Sequence, residues 1–246
     1  MSAAATRPWL WVSDIDDTLT GDAAAMEALA AALDRDRGRV WFAVNSSRPA
    51  DSVRETLARE FPPDLAPDYR ITALGTEVYR GDTPLPGWQD RFAGWPQAEI
   101  YAALQVLGHR PHAAAYQTPY KVSFAVPKYA QDAARQALSE FPCQIIASGT
   151  DDFDVIPPAA GKGAATLHLA EHLGLTPQNV VVSGDSGNDL AMFRVAPSGI
   201  AVGNARPELI RALPEGTFYH ARAGHAGGVL EGLRYYGVLP TGEEPG

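Results

Sequence analysis

Short apolar segments alternate with longer amphipathic segments along most of this chain. Short apolar runs bounded by turn residues predict strands, whereas apolar positions three or four residues apart predict helices. The predicted strands are residues 9–12, 40–44, 69–74, 180–183, 199–202 and 218–219. The predicted helices lie near residues 23–33, 50–61, 162–173, 189–195, 207–213 and 226–236. This alternation predicts an α/β fold, a Rossmann-like core with a parallel sheet and helices on both faces.

The alternation breaks between residues 81 and 158. Pro/Gly-rich stretches at 81–87 and 157–158 bound this segment and are typical of hinges. Its predicted elements are a helix near residues 98–107, a strand at 120–126, a helix near 130–140 and a strand at 143–147. We therefore predict an inserted α+β cap domain at 81–158, within a core formed by 1–80 and 159–246.

With 246 residues, of which 46% are hydrophobic, the chain is large enough to bury a full core. Its net charge of −9 argues against a nucleic-acid-binding surface, because phosphate backbones need clustered Lys and Arg. The single cysteine, Cys143, excludes an internal disulfide and a cysteine-built metal site. No apolar stretch reaches membrane-spanning length, and residues 1–8 lack the features of a signal peptide. We expect a soluble, cytoplasmic protein with no nucleic-acid or membrane partner and a short disordered tail at 241–246.

Asp14 and Asp16 follow the first predicted strand, two residues apart. Side chains two apart in extended backbone point to the same side, so these carboxylates repel each other unless a cation binds between them. An anionic substrate would also need local positive charge in so acidic a chain, and a metal ion is the simplest source. The alternative is a solvated acidic turn in which Asp17 and Thr18 cap the helix that begins near Asp22.

Three further polar segments lie where a site at the strand ends would collect them. Residues 45–49, Asn-Ser-Ser-Arg-Pro, can hold an anion through a hydroxyl and backbone N–H groups, or can cap the next helix. Lys162 opens a helix, where the helix dipole disfavours a cation unless an anion is bound beside it; the alternative is a lysine that extends into solvent. Residues 184–189, Gly-Asp-Ser-Gly-Asn-Asp, suit a hard cation such as Mg²⁺, and Asp185 and Asp189 can lie on one face of the first helical turn. Helix capping is the alternative, but it would explain only one of these aspartates.

Two aspartates, then Ser/Thr, then Lys, then Gly-Asp-x-x-x-Asp, each after an apolar strand, form the pattern of a known superfamily. The chain resembles the haloacid-dehalogenase-like (HAD) phosphatases, and in detail the sucrose-phosphate phosphatase family, over essentially its whole length. The insert is placed as in members that carry a large cap. The segments that carry the likeness are residues 12–22 (VSDIDDTLTGD), 73–79 (ALGTEVY), 118–121 (TPYK), 183–189 (SGDSGND) and 225–227 (HAG).

The resemblance implies how the phosphate would be held and transferred. Asp14 would be the nucleophile that forms an aspartyl-phosphate, and Asp16 would be the general acid and then the general base. Ser46, Ser47 and Lys162 would bind the phosphate oxygens, and Lys162 would also belong to the catalytic group.

The resemblance also implies a Mg²⁺ site. The metal would be held by Asp14, Asp185 and the backbone carbonyl of Asp16. Asp189 and Asn188 would orient the metal shell and the neighbouring lysine. The expected metal-site residues are therefore Asp14, Asp16, Asp185, Asp189 and Asn188.

The cap would close over a hexose ring and select the substrate. Its matching polar candidates, with one on the rim of the core, are Glu77, Thr118, Lys121 and Asp154. Lys121 and Asp154 are equally compatible with a structural role, because polar residues are common in loops. The family pattern has Asn where this chain has Thr118, and Thr150 stands where a lysine can occur, so recognition of sucrose stays open.

The implied activity is a Mg²⁺-dependent phosphatase of a small-molecule sugar phosphate, with sucrose 6-phosphate the first candidate. Mannosylfructose phosphate, glucosylglycerol phosphate and other glycosyl phosphates are alternatives at this level, as is a sugar phosphatase of broad range. The implied protein partner is a glycosyltransferase that makes the phosphorylated disaccharide.

Two other hypotheses involve different chemistry. His168, Glu171 and His172 fit the H-x-x-E-H pattern of a family of zinc peptidases, although no distal acidic helix stands out as the third ligand. A phospho-accepting signalling module would share the acidic cluster, the Ser/Thr and the Lys. A general base at Asp16 and a closing cap would both work against a stable phospho-aspartate. The sequence therefore favours a phosphatase.

Overall fold

Twelve strands form two sheets within residues 8–241, the part of the chain described in this computed structural model. The strands are, in chain order, β1 (Trp9–Ser13), β2 (Val40–Asn45), β3 (Tyr69–Thr72), β4 (Glu77–Arg80), β5 (Thr83–Pro84), β6 (Arg110–Pro111), β7 (Val122–Ala125), β8 (Gln144–Ser148), β9 (Asp152–Ile156), β10 (Val180–Gly184), β11 (Ser198–Ala201) and β12 (Tyr219–His220).

The larger sheet runs in the order β12-β11-β10-β1-β2-β3-β4-β5. The strands from β12 to β3 are parallel, as the sequence predicts, whereas β4 and β5 continue the sheet in antiparallel pairs. β1 lies near the middle, with Leu10 in register with Val180 of β10 and Trp41 of β2. A parallel strand with neighbours on both sides and helices above and below is buried on both faces, which explains its uninterrupted apolar run.

Helices cover both faces of the larger sheet, as predicted. The α-helices are, in chain order, α1 (Ala23–Arg35), α2 (Ala50–Glu60), α3 (Gln97–Val106), α4 (Gln131–Ala137), α5 (Lys162–His172), α6 (Leu190–Phe193), α7 (Pro207–Ala212) and α8 (His225–Tyr235). Leu10 belongs to the apolar layer that contains Leu169 of α5. Trp11 belongs to the opposite layer, with Leu29 of α1 and Leu233 of α8. Successive residues of β1 supply opposite layers because side chains alternate along a strand.

The cap of α1 differs from the one considered in the sequence. Asp22 has extended backbone, and its Oδ1 accepts a hydrogen bond from the Ala25 N–H at 3.0 Å. This is the usual N-cap arrangement. The alternative in which Asp17 and Thr18 cap this helix is therefore wrong, and those two residues are left for the site at the end of β1.

The smaller sheet is antiparallel, in the order β6-β7-β9-β8, and lies between β5 and α5 in the sequence. Together with α3 and α4 it encloses an apolar cluster of its own that includes Ile100, Phe124 and Phe153. This is the α+β character predicted for the insert. The sequence missed β6 and β9, and in β9 the acidic residues Asp152 and Asp154 hide the strand pattern.

The third predicted strand is shorter than expected. β3 ends at Thr72 because Ala73 and Leu74 have φ values of 48° and 58°, which no strand accommodates. The chain then turns back into β4 and β5. Trp88, fully buried, packs in the apolar layer of the larger sheet although it lies beyond residue 80. The division of the chain at 80/81 and 158/159 stays a prediction.

Among residues 8–241, no helix is both long and apolar enough to cross a membrane. The sequence prediction for the first residues falls mostly on 1–7, and the predicted tail falls mostly on 242–246. Both segments lie outside the described residues.

Candidate active site

Asp14 lies one residue beyond the end of β1. Its backbone N–H donates to the carbonyl of Ser183 at 3.0 Å, which continues the β1–β10 pairing to the carboxyl edge of the sheet. The Asp14 side chain is 8% exposed. Because β1 ends at Ser13, the alternation argument for Asp14 and Asp16 does not apply, and the Asp16 side chain is 55% exposed. Both carboxylates nevertheless line one cleft.

Lys162 joins two buried carboxylates. Its Nζ donates to Asp14 Oδ1 and to Asp189 Oδ1, each at 2.7 Å, and to Asn188 Oδ1 at 3.1 Å. The lysine side chain is 1% exposed. The anions that offset the unfavourable helix dipole at this N-terminus are therefore carboxylates of the protein itself.

The first turn of α5 is fixed by residues whose contacts with Lys162 and Gly161 were not predicted from the sequence. The carbonyl oxygen of Lys162 accepts hydrogen bonds from Asn45 Nδ2 at 3.0 Å and from Thr166 Oγ1 at 2.8 Å. A side chain at Gly75 would collide with the backbone of Gly161, so the chain before α5 can approach only a glycine there. These contacts hold the lysine backbone, and hence its long side chain, in one position.

The loop after β10 supplies two more buried carboxylates. Asp189 Oδ2 accepts hydrogen bonds from the backbone N–H groups of Asp185 at 3.1 Å and Ser186 at 3.2 Å. Asp189 ends a short 3₁₀ turn, and Asp185 lies before that turn. The prediction that both lie on one face of a helical turn is thus wrong, although the two carboxylates do converge. Thr18 Oγ1 contacts Asp185 Oδ1 at 3.5 Å.

The buried carboxyl groups of this cluster outnumber its cationic side chain. Burial, with Asp189 nearby, raises the pKa of Asp14 from 3.8 to about 8. Burial and Asp189 likewise raise the pKa of Asp185 from 3.8 to about 6. Burial works to lower the pKa of Lys162, but Asp14 and Asp189 raise it above its ordinary value. One lysine therefore does not offset three buried carboxylates.

The donor set fits a hard divalent cation. Oxygen atoms of Asp14, Asp185 and Asp189 lie within 4.8 Å of one another, and all three residues are buried. Clustered carboxylate oxygens are the ligands that Mg²⁺ prefers, and a bound cation would favour their ionised forms. Asn188 Oδ1 accepts a hydrogen bond from Lys162, the lysine that Asn188 was predicted to orient. The Asp16 carboxylate pairs with Arg48, and a metal role for the Asp16 backbone carbonyl stays a prediction.

The metal-free protein should lose stability as the pH rises. Folding raises the pKa of Asp14 and Asp185, so the folded state binds more protons than the unfolded chain. This contribution is complete below their ordinary pKa of 3.8 and is lost as the pH passes about 6 for Asp185 and about 8 for Asp14. We expect the Tm in EDTA to fall between about pH 5 and 8.

Thermal unfolding of the Asp14→Asn variant in EDTA is the control for this prediction. The variant should show a smaller loss of Tm over the same range, because it lacks the group that titrates highest. Equal pH profiles for the two proteins would contradict the assignment of the shift to Asp14.

The turn after β2 contains the predicted phosphate-binding serines. Ser46 is fully buried, its Oγ accepts from the Arg48 N–H at 3.2 Å, and its own N–H donates to the Ile71 carbonyl. Ser47 lines the cleft. Arg48, which the sequence analysis did not single out, places Nε 3.0 Å from Asp16 Oδ2 and donates from Nη1 to Thr56 Oγ1 at 2.8 Å.

Two of the substrate candidates are buried and paired. Lys121 Nζ donates to the backbone carbonyl of Ser47 at 3.0 Å and pairs with Asp154 Oδ1 at 3.1 Å. Asp154 also accepts from Ser123 Oγ at 2.5 Å. Lys121 therefore links the smaller sheet to the turn after β2. In this structure its ammonium group contacts protein oxygens, and the Lys121 side chain is 2% exposed.

The other two candidates make local contacts. Glu77 Oε2 accepts from Thr72 Oγ1 at 2.6 Å between β4 and β3. Thr118 Oγ1 accepts from the Tyr120 N–H at 3.3 Å in the turn before β7. Neither side chain lines the cleft. Their roles in substrate recognition stay predictions.

A cleft of about 1050 Å³ opens above Asp14 and Asp185, between the two sheets. One wall comes from the core loops and includes Arg206, whose Nε lies 3.6 Å from Asp185 Oδ2. The other wall comes from the cap side and includes Lys128 and Thr150. Sequence analysis could not have found Arg206 or Lys128 as cleft residues, since neither belongs to a polar segment at a strand end.

The histidines of the zinc-peptidase hypothesis pack against aromatic rings. His168 stacks on Trp88 with centroids 4.7 Å apart, and His172 lies edge-on to Tyr69 at 6.4 Å. Within residues 8–241, the metal-ligating side chains that converge in threes are the aspartates 14, 185 and 189. The structure therefore gives the zinc hypothesis no third ligand.

Known proteins resemble this chain over nearly all its length. The family model for sucrose-6F-phosphate phosphohydrolase matches residues 7–237. The mannosylfructose-phosphate phosphatase of Agrobacterium fabrum is 33% identical, covering 93% of this chain and 96% of that protein. Sucrose-phosphatase 2 of Nicotiana tabacum is 30% identical over 94% of this chain, which spans 59% of the tobacco protein.

A solved structure is also similar. The X-ray structure of the sucrose-phosphatase from Synechocystis sp. PCC6803, in complex with sucrose and phosphate, matches with a TM-score of 0.87 at 31% identity. The match covers 96% of this chain and 100% of that one. Fold, site and relatives define a HAD phosphatase, a hydrolase that acts on phosphoric monoesters. Within that class, the chain belongs to the sucrose-6F-phosphate phosphohydrolase family, as its sequence motifs predict.

Proposed function

We propose that this protein is a Mg²⁺-dependent phosphatase that hydrolyses sucrose 6-phosphate to sucrose and phosphate. The observation that carries the proposal is the buried cluster of Asp14, Lys162, Asp185 and Asp189 at the ends of β1 and β10. A fold tolerates so much buried charge where it binds a charged ligand. The similarity to sucrose-phosphatases supports the choice of sugar.

Asp14 acts as the nucleophile. Lys162 occupies its Oδ1, which leaves Oδ2 to attack phosphorus. The new bond joins Asp14 to phosphorus while the bond from phosphorus to the sugar oxygen breaks, and an aspartyl-phosphate results. Holding the carboxylate through Lys162 also orients it before the substrate arrives, which removes an entropic cost from the reaction.

Asp16 acts as the acid and then as the base. In its protonated form it gives a proton to the departing sugar oxygen, and its carboxylate then takes a proton from the water that attacks the aspartyl-phosphate. This second attack releases inorganic phosphate and restores Asp14. Arg48 lies 3.0 Å from Asp16 Oδ2, so it steers the orientation of this half-exposed side chain.

The phosphate oxygens are held by Lys162 and by the turn at Ser46 and Ser47. Asp14 and Asp185, with Asp189 beside them, would hold the Mg²⁺. When bound, Mg²⁺ supplies the positive charge that lets an anionic substrate approach these carboxylates. The cap covers the cleft and excludes water from the aspartyl-phosphate until the sugar has left.

Phosphate release measured across a panel of sugar phosphates tests this proposal. Phosphate release should be fastest with sucrose 6-phosphate, compared with mannosylfructose phosphate, glucosylglycerol phosphate, trehalose 6-phosphate and free hexose phosphates. EDTA should abolish phosphatase activity, and added Mg²⁺ should restore it. Activity that ignores both additions would contradict the metal assignment, and a clear preference for another sugar would replace the first candidate.

Thr150 is the cleft residue whose substitution should change sugar preference. The Thr150→Lys variant places a long side chain with an ammonium donor on the cap side of the cleft. One hydrogen bond from a charged group to a sugar hydroxyl corresponds to about tenfold in kcat/KM. We expect the ratio of kcat/KM for sucrose 6-phosphate over mannosylfructose phosphate to change by about that factor.

Thr118→Asn is a second specificity variant, because Thr118 is still a predicted substrate residue. An unchanged ratio in this variant would show that Thr118 does not select the sugar. A shift produced by Thr118→Asn and not by Thr150→Lys would return the selector role to the turn before β7.

Two further proposals concern the setting of the reaction. The substrate is a phosphorylated disaccharide, so a glycosyltransferase must supply it, and we propose such an enzyme as the partner. We also propose a cytoplasmic location, where phosphorylated sugars are made. Fractionation of cells and co-purification with a synthase activity would test both.

A further inference from the structure

Three loops meet at the side chain of Asn204. Its Nδ2 donates to the backbone carbonyl of Asp17 at 2.7 Å, and its Oδ1 accepts from the His225 N–H at 2.8 Å. Asp17 lies in the loop after β1, Asn204 in the loop after β11, and His225 at the start of α8. The Gly203 N–H also donates to the Ala223 carbonyl at 2.8 Å, which ties the last two loops together.

His225 makes a second contact with the same carbonyl. Its Nδ1 lies 3.1 Å from the Asp17 oxygen. Because a carbonyl oxygen only accepts, this is a hydrogen bond when Nδ1 carries the proton. A side chain at Gly21 would overlap the imidazole ring, so the loop after β1 leaves space for this histidine.

The backbone at both ends of this arrangement is unusual. Asp17 has φ of 58° and His225 has φ of 51°, in the left-handed region that residues other than glycine rarely adopt. Such residues persist where their surroundings hold them, and they cluster at functional sites. The Asp17 carboxylate also forms an ion pair with Arg206, whose Nη2 lies 3.6 Å from Asp17 Oδ2. We name the group formed by Asn204, His225 and the Asp17 carbonyl the Asp17 clamp.

The Asp17 clamp holds the residue that directly follows Asp16. The Asp16 carboxylate is 55% exposed and is held on its other side by Arg48, which comes from the turn after β2. Its backbone therefore needs a second support if the carboxyl group is to meet the leaving oxygen. An error of 1 Å in such a position costs a reaction about 100-fold.

On the basis of the proposed function, we infer that Asn204 and His225 are positioning residues for the general acid, acting through the Asp17 carbonyl. They touch neither the substrate nor the reacting atoms. A purely structural role is the alternative, because Asn204 Oδ1 also satisfies an N–H in the first turn of α8. The two roles differ in how loss of the clamp affects good and poor leaving groups.

The test compares two substrates by kcat/KM, which reports the steps through release of the leaving group. The sugar oxygen that leaves sucrose 6-phosphate is a poor leaving group and needs a proton. The p-nitrophenolate that leaves p-nitrophenyl phosphate is a good leaving group and needs none. His225→Gly keeps the positive φ accessible but removes the ring donor. We expect its kcat/KM to fall by about 10- to 100-fold for sucrose 6-phosphate and by less than about threefold for p-nitrophenyl phosphate.

His225→Asn is the rescue variant. Asparagine tolerates positive φ and places an amide donor near the position of Nδ1, so it should restore most of the loss on sucrose 6-phosphate. Asn204→Asp, which turns an acceptor toward the Asp17 carbonyl, should behave like His225→Gly. His220→Asn, at an exposed histidine of β12, should leave both substrates unaffected.

The outcomes separate the two proposals. Equal losses on both substrates in His225→Gly, or no loss on either, would overturn the positioning role. Failure of His225→Asn to restore the sugar-phosphate rate would overturn it too. If Asp16→Asn itself showed no dependence on the leaving group, the acid role of Asp16 in the proposed function would fail, and the inference about the clamp would fail with it.

Discussion

The Asp14→Asn variant should lose sugar-phosphate turnover by about 10⁴-fold or more while remaining folded, because removal of a nucleophile abolishes the covalent route. The amide cannot attack phosphorus, and the remaining groups would support slow hydrolysis at best. The fold should survive because asparagine has nearly the same shape and removes a carboxyl group whose ionisation is already opposed by burial. Steady-state phosphate release and thermal unfolding measure the two halves of this prediction.

Asp22→Asn is the matched control for that variant. It makes the same chemical change in the same loop, at an exposed position where Asp22 caps α1. Asparagine is an equally good N-cap, so activity and Tm should both be preserved. Turnover within about tenfold of the native rate in Asp14→Asn would remove this residue as the nucleophile.

The sequence predicted the site best where charged residues directly follow an apolar segment or begin a helix. Asp14, Lys162, Asp185 and Asp189 were all identified from their positions at strand ends or at a helix start, and the structure brings their side chains together. The reason is topological, since parallel strands gather their carboxyl ends at one edge. The residues that share an edge can therefore be predicted without knowing any distance.

Contacts made by long side chains could not be predicted in this way. Arg48 and Arg206 reach carboxylates in distant segments, and no local spacing marks either partner. Asp16 was expected beside Asp14 on one side of a strand, but β1 ends at Ser13 and the backbone turns. The direction of a side chain after a strand depends on the turn, which the tertiary structure sets.

The cap was predicted least completely for a related reason. Asp152 and Asp154 interrupt the apolar alternation of β9, so the segment resembles a polar loop. Asp154 is buried because Ser123 of β7 and Lys121, which directly precedes β7, satisfy its charge. A buried ion pair looks like two exposed residues until both partners are known.

The second large effect should follow removal of Lys162. The Lys162→Met variant leaves the Asp189 carboxylate buried without its cation and removes the donor to Asp14, and loss of one partner of a buried ion pair costs about 3–5 kcal/mol. We expect urea unfolding in EDTA at neutral pH to show a lower free energy of unfolding. We also expect phosphatase activity in Mg²⁺ to fall by about 10³-fold, since in the proposed mechanism the nucleophile and the phosphate both lose a contact.

A double variant separates charge from packing. Adding Asp189→Asn to Lys162→Met removes the unpaired carboxylate, so part of the lost stability should return. Activity should stay low, because the proposed lysine contact with the phosphate is still missing. The difference between the single and double variants measures how strongly the two groups are coupled. If the double variant were as unstable as Lys162→Met alone, the loss would come from packing of the lysine chain, and the charge balance that we assign to this cluster would be wrong.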